Sequence, residues 1–310
     1  VEITQPLALE VGLEYTNVLC NGEETIATVT ATGGTLPINL YDGETLIGEI
    51  VDGSISHAVT AGDYNWTVRD ANGCEVALSF TIIEPALLET EEIVGEILCN
   101  GGQADVTVNA LGGTAPYELF NGETSLGQMV EGTITLSVGE GEYFWMVIDE
   151  NGCEASVDFV VTEPEALTTG YNFGTILCNG DQTEVVVTAE GGTTPYELFD
   201  GATSLGQLVD GAITLPVSAG EYSWMVIDEN GCEASVEFGI SQPELLVAGY
   251  SFGSIACNGG ETTATITATG GTLPINLYDG ETLIGELVDG SISHAVTAGD
   301  YNWIVRDANG

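Results

Sequence analysis

The sequence predicts an all-β protein assembled from tandem two-sheet sandwiches. Three observations carry this expectation: a fixed 79-residue period, short runs in which apolar and polar side chains alternate, and Gly-rich turns between the runs. The period is read from cysteines and prolines. Cys20, Cys99, Cys178 and Cys257 are each followed by Asn-Gly, and Cys74, Cys153 and Cys232 are each preceded by Asn-Gly and followed by Glu. Pro6, Pro85, Pro164 and Pro243 close the segments between repeats. Residues 20–73 and 257–310 differ at only five of 54 positions (23, 26, 29, 50 and 67 in the first), and the two middle repeats resemble each other more than they resemble the outer pair. The expected modules are 7–85, 86–164, 165–243 and 244–310, the last truncated, with 1–6 as the tail of a preceding module. On this reading the sequence is a window from a longer array.

Comparing the repeats with one another assigns faces to each strand. A first strand is expected over about Leu9–Val18. In the second, Ala27, Val29 and Ala31 correspond to Val106, Val108 and Ala110 and to Val185, Val187 and Ala189, mostly with polar residues between them. This is the period of a half-buried strand. A third runs over Pro37–Tyr41 and a short fourth over Leu46–Val51. Ile55, His57 and Val59 mark the inward side of a fifth, and Tyr64, Trp66 and Val68 that of a sixth. After the Asp70-Ala71-Asn72-Gly73 turn, Val76, Leu78, Phe80 and Ile82 mark a seventh. No segment carries a convincing helical period. Seven short strands at roughly ten-residue spacing indicate an immunoglobulin-like β-sandwich. An 80-residue domain buries only about 60–65% of its unfolded surface and needs a large aromatic or a covalent tie. Trp66, Trp145, Trp224 and Trp303 are the expected core aromatics, and Ala61-Gly62-Asp63-Tyr64 ahead of the first resembles a tyrosine corner.

Composition narrows the function classes. The 310 residues include 48 carboxylates and two basic side chains, Arg69 and Arg306, for a formal net charge of -46. Nucleic acid and anionic membrane surfaces both need clustered Lys or Arg and are excluded as partners. The 44% hydrophobic content is too high for a disordered acidic tail, and no run of about 18 apolar residues exists. His57 and His294 are the only histidines, and sister repeats place Leu136 and Leu215 at the same strand position. A position interchangeable with leucine is packing, so no catalytic triad or zinc site is expected and the chain reads as a non-enzyme.

Seven cysteines without a Cys-x-x-Cys spacing point to disulfides in an oxidising compartment, the odd count following from truncation. Counting favours bonds within a module, Cys20 with Cys74 and so on. The sandwich topology objects, because the two turns lie at opposite ends of strands about 23 Å long, whereas disulfide Cα atoms sit within about 7 Å. That topology favours Cys20 with Cys153 and Cys99 with Cys232. At the level of sequence both pairings stay open.

The Asp-x-Asn-Gly turns are candidates for calcium through Asp70, Asn72, Asp149, Asn151, Asp228 and Asn230, though each lacks the remaining oxygens of an EF-hand loop. The competing reading is an Asx-stabilised hairpin turn. Glu84, Glu89, Glu91 and Glu92 crowd one linker and are a second place where a divalent cation could screen repulsion. On the outward side of the sixth strand, Phe144, Met146 and Ile148 in one module and Met225 and Ile227 in the next form an apolar stripe, a candidate for lateral self-association. Tyr41, Phe120, Phe199 and Tyr278, outward on the third strand, are the best candidates for a glycan-binding platform, the alternative function.

The combined pattern is Cys-Asn-Gly, a strand, Gly-Gly-Thr-x-Pro, then Gly-x-Tyr-x-Trp-x-Val-x-Asp-x-Asn-Gly-Cys and a closing Pro. It resembles the SprB-type repeat of Bacteroidota surface adhesins, related to polycystic-kidney-disease-like sandwiches. Pro37-Ile38 and Pro274-Ile275 depart from the Pro-Tyr at Pro116-Tyr117 and Pro195-Tyr196. The resemblance implies a very large protein exported by type IX secretion, displayed on the outer membrane and, in the gliding adhesins, moved by the gliding machinery. The expected role is a cell-surface stalk that bears tension, whose partners are neighbouring modules, with no cofactor unless calcium.

Overall fold

The computed structural model describes residue 1 and residues 4–310. The described residues are all-β, and each repeat holds two small antiparallel sheets. In the first repeat the strands are β1 (Glu10–Tyr15), β2 (Thr25–Thr32), β3 (Asn39–Asp42), β4 (Thr45–Glu49), β5 (Ser54–Val59), β6 (Gly62–Arg69) and β7 (Glu75–Ile82). Sheet order is β1-β2-β5 and β4-β3-β6-β7, the three-plus-four arrangement of an immunoglobulin-like sandwich. The second and third repeats copy it.

Alternation builds the core. Ala27 and Val29 on β2, Leu40 on β3 and Trp66 and Val68 on β6 are almost fully buried between the sheets. Across the β2–β5 ladder Val29 faces Ile55, and across β6–β7 Trp66 faces Leu78. Trp66 meets Phe80 edge to face at 4.9 Å between ring centroids, and Tyr64 stacks on Phe80 at 5.1 Å. Such aromatic pairs add to simple area burial. The Trp66 and Trp145 indole N–H groups are buried without a hydrogen-bond partner. The tyrosine corner forms in every repeat. Tyr64 Oη donates to Thr60 O (2.9 Å), and Tyr143, Tyr222 and Tyr301 donate to Gly139, Ser218 and Thr297 carbonyls.

Between Val51 and Ser54 a two-residue hairpin has both central residues left-handed, Asp52 at φ 51° and Gly53 at φ 83°. This is the primed geometry that suits the strand twist. Gly33 is required for a different reason: a Cβ there would lie 1.9 Å from Ala8 O. The approach to β1 runs against this turn, and Gly34 N–H donates to Leu7 O at 2.9 Å.

The chain divides into two compact units, residues 1–97 with 101–163, and residues 98–100 with 164–310. In the fourth repeat the sheet order is Thr282–Glu286, Asn276–Asp279 and Trp303–Arg306, with no seventh strand beside the last. Trp303, expected in the core, is therefore only half-buried, while Trp66, Trp145 and Trp224 are buried.

Candidate functional site: the junction between repeats

The turn between the sixth and seventh strands is organised by one buried aspartate. Asp70 Oδ1 accepts the backbone N–H groups of Asn72 and Cys74, both at 2.9 Å, and Oδ2 accepts that of Thr35, also at 2.9 Å. Asp149 repeats this with Asn151, Cys153 and Thr114, and Asp228 with Asn230, Cys232 and Thr193. The Cys74 N–H, reinforced by those of Thr35 and Asn72, holds the Asp70 carboxyl below the ordinary carboxylate value against the opposing effect of burial. Asp307 is lowered likewise, by Thr272 N–H first and then Asn309 N–H. These bonds at Asp70, Asp149 and Asp228 form the Asx-stabilised turn, the reading that competes with calcium at these positions.

The asparagines point outward from the turn. Asn72 Nδ2 donates to Thr35 Oγ1 at 2.7 Å, tying the two turns of one repeat together. Asn151 Nδ2 donates to Thr114 Oγ1 at 3.0 Å and also to Leu19 O of the preceding repeat at 3.1 Å. Within the second unit Asn230 Nδ2 reaches Leu98 O at 3.2 Å, and Asn309 Nδ2 reaches Leu177 O at 2.8 Å. Asn72, Asn151 and Asn230 act as amide donors in these bonds.

Beside these contacts lie the disulfides. Cys20 is bonded to Cys153 with Cα atoms 5.5 Å apart, and Cys99 to Cys232 with 5.6 Å. Of the two pairings left open by the sequence, this is the one between neighbouring repeats, and the bond of Cys20 to Cys74 does not form. Cys74, Cys178 and Cys257, also expected in disulfides, are free. Both bonds join cysteines 133 residues apart, and a step of that length from any of these three meets no other cysteine within residues 1–310.

The Cys-Asn-Gly loop is fixed from within its own repeat as well. Asn21 Nδ2 donates to Pro85 O at 3.0 Å, and Gly22 N–H donates to Glu84 Oε2 at 2.7 Å. Asn100 and Asn179 make the same bond to Pro164 and Pro243 carbonyls. Glu84 is thus turned onto the loop, and Glu89, Glu91 and Glu92 lie exposed on the next first strand, Glu89–Val94.

The other candidates are dispersed. His57 lies on the core-facing side of β5 with its ring 5.9 Å from Trp66, but remains exposed; His294 and Trp303 repeat the contact at 5.8 Å. Tyr41, Phe120, Phe199 and Tyr278 are half-buried, and the guanidinium of Arg69 covers the Tyr41 ring at 4.9 Å. Arg306 does the same to Tyr278 at 5.2 Å. On the apolar stripe Phe144 is 67% exposed, whereas Met146, Ile148, Met225 and Ile227 are half-buried. Sequence reasoning missed Thr35 and its equivalents and the Leu19-type carbonyls; the unbroken Gly-Gly-Thr repeat was the available signal for the first.

The sheets and junctions define a tandem array of immunoglobulin-like sandwiches with covalent ties between neighbours. No family model matches the chain, and no curated protein matches it. Among solved structures it is similar to the N-terminal eight Ig domains of Down Syndrome Cell Adhesion Molecule, at 14% identity and TM-score 0.26, over 97% of this chain and 54% of that one. It is similar also to Escherichia coli alpha-2-macroglobulin activated by porcine elastase (11%, TM-score 0.19, 96% and 42%) and to the central fibronectin-III array of RIM-binding protein (10%, TM-score 0.20, 74% and 96%). The chain spans about half the length of the first two.

Proposed function

We propose that the chain is part of the stalk of a secreted bacterial cell-surface adhesin of the gliding-motility type, anchored at the outer membrane after type IX secretion. Its working property is mechanical rather than catalytic: it carries tension and holds binding domains away from the cell. The observation that supports this best is the double connection between neighbouring repeats, by peptide linker and by disulfide. A linker alone leaves modules free to swing, whereas a second covalent tie beside it restricts that freedom. The disulfides also favour an extracellular setting, because such bonds persist in oxidising compartments. The repeat motif and the acidic surface fit the same reading, with nearest-neighbour contacts setting the length of the array.

Electron micrographs of the intact protein test the proposal. A thin beaded thread with a spacing of about 40 Å is expected, the length of a sandwich with its linker, and a compact globule refutes it. A glycan array probed with three repeats separates the stalk from a ligand-binding array. Retention on a defined sugar would move the function onto rings such as Phe120 and Phe199.

A further inference from the structure

The disulfides change which atoms carry a pull. Each bond reaches 133 residues ahead, while only 25 residues separate Cys74 from Cys99, Cys153 from Cys178 and Cys232 from Cys257. A covalent path entering at Cys20 crosses to Cys153 and reaches Cys178 after 25 residues of backbone, although two full repeats lie between Cys20 and Cys178 in sequence. That short segment consists mostly of two strands, Glu154–Val161 and Thr168–Phe173. Strands already rise about 3.3 Å per residue, close to the limit of an extended chain, so they hold little slack. The stretches left off the path, Cys20 to Cys74 and Cys99 to Cys153, hold the five central strands of each sandwich together with Trp66 and Trp145.

We propose that an array under load carries force through a ladder of seventh strand, linker, first strand and disulfide, and that the sandwich interiors are shielded from it. Unfolding of a repeat then does not lengthen the tether between ladder points. An array of sandwiches joined only by linkers behaves differently: each unfolding event releases nearly a whole repeat of slack. Successive bonds use alternate segments, so the Cys20–Cys153 path and the Cys74–Cys99–Cys232 path form two rails side by side in sequence. The inference deepens the stalk reading and rests on it for biological meaning, but its test needs only the connectivity.

The experiment is single-molecule pulling on the full chain, with one handle at Val1 and the other attached through a non-thiol chemistry at Asp181, an exposed residue just beyond Cys178. Without reductant the fully stretched tether contains residues 1–20 and 153–181, an extension of about 170 Å. With reductant it contains residues 1–181 and reaches about 630 Å, a lengthening of nearly fourfold. The Cys20→Ser variant, in which the remaining bond leaves a longer path through Cys99 and Cys232, is expected at about 530 Å without reductant. The Cys99→Ser/Cys232→Ser double variant stays at about 170 Å, because that bond is off the loaded path. Unreduced tethers that extend in repeat-sized steps beyond about 170 Å, or lengths that do not respond to reductant, overturn the ladder. A beaded thread that fails this test leaves the stalk standing without the ladder; a globular particle that passes it leaves the ladder and removes the stalk.

Discussion

Asp228 shows how much of a junction one side chain organises: its two oxygens hold three backbone N–H groups and fix the turn that presents Asn230 and Cys232 to Leu98 and Cys99. Truncation to alanine leaves these donors unpaired in a buried place, so Asp228→Ala is expected to cost about 3 kcal/mol in chemical denaturation and to slow oxidation of Cys232. The corresponding bonds at Asp70 and Asp307 give a pH dependence. Asp70 and Asp307 have folded pKa values below the unfolded ones, so their stabilisation is complete above the unfolded value of about 4 and is lost as pH falls through the lowered folded values. Melts between pH 5 and pH 2 are expected to show this acid loss, and the Asp70→Asn/Asp307→Asn variant to show a shallower one; equal slopes would refute the assignment. At the hairpin tip Glu131 holds φ 52° where the sister repeats use Asp52, Asp210 and Asp289. Asparagine tolerates this region better than glutamate, and Glu131→Asn should gain about 0.5 kcal/mol.

At the scale of elements, the approach to each first strand depends on a glycine. A Cβ on Gly112 would lie 1.9 Å from Leu87 O, and φ is +71°, whereas Gly22 at φ +80° has open space. Gly112→Ala is expected to cost about 3 kcal/mol or more because backbone must move, and Gly22→Ala about 1 kcal/mol from conformation alone; thermal melts of the two variants give the comparison. The strands themselves were largely legible in the sequence, because alternation such as Ala27-Val29-Ala31 reports a buried face directly. Their ends were not. Pro37 and Ile38 read as strand, yet β3 starts at Asn39, and β1 ends at Tyr15 rather than continuing to Val18. Pairing, not side-chain character, ends those strands. The junction was half legible. The disulfide distance argument needed only strand length and topology, but the reach of Asn151 to Leu19 O depends on how two repeats meet, which no local pattern encodes.

For the whole molecule the dominant long-range effect is charge. A net charge of -46 on 310 residues, with ion pairs described for Arg69 with Glu75 and Arg306 with Glu281, leaves repulsion opposed mainly by the core and the disulfides. Raising ionic strength from about 0.01 M to 0.15 M shortens the screening length from about 30 Å to 8 Å, and the melting temperature is expected to rise with it. Calcium chloride compared with sodium chloride at equal ionic strength separates screening from a bound cation: an excess rise with calcium, absent from variants lacking Glu89, Glu91 and Glu92, would place the ion at that linker.

The fixed stride of the disulfides has a bearing on ancestry. Both disulfides among the described residues connect one repeat to the next with the same offset of 133 residues. Excision or duplication of a whole copy therefore brings a compatible thiol to each new neighbour and strands none in the interior. Recombination between the nearly identical stretches 20–73 and 257–310 removes or adds whole repeats while keeping the offset of each crosslink.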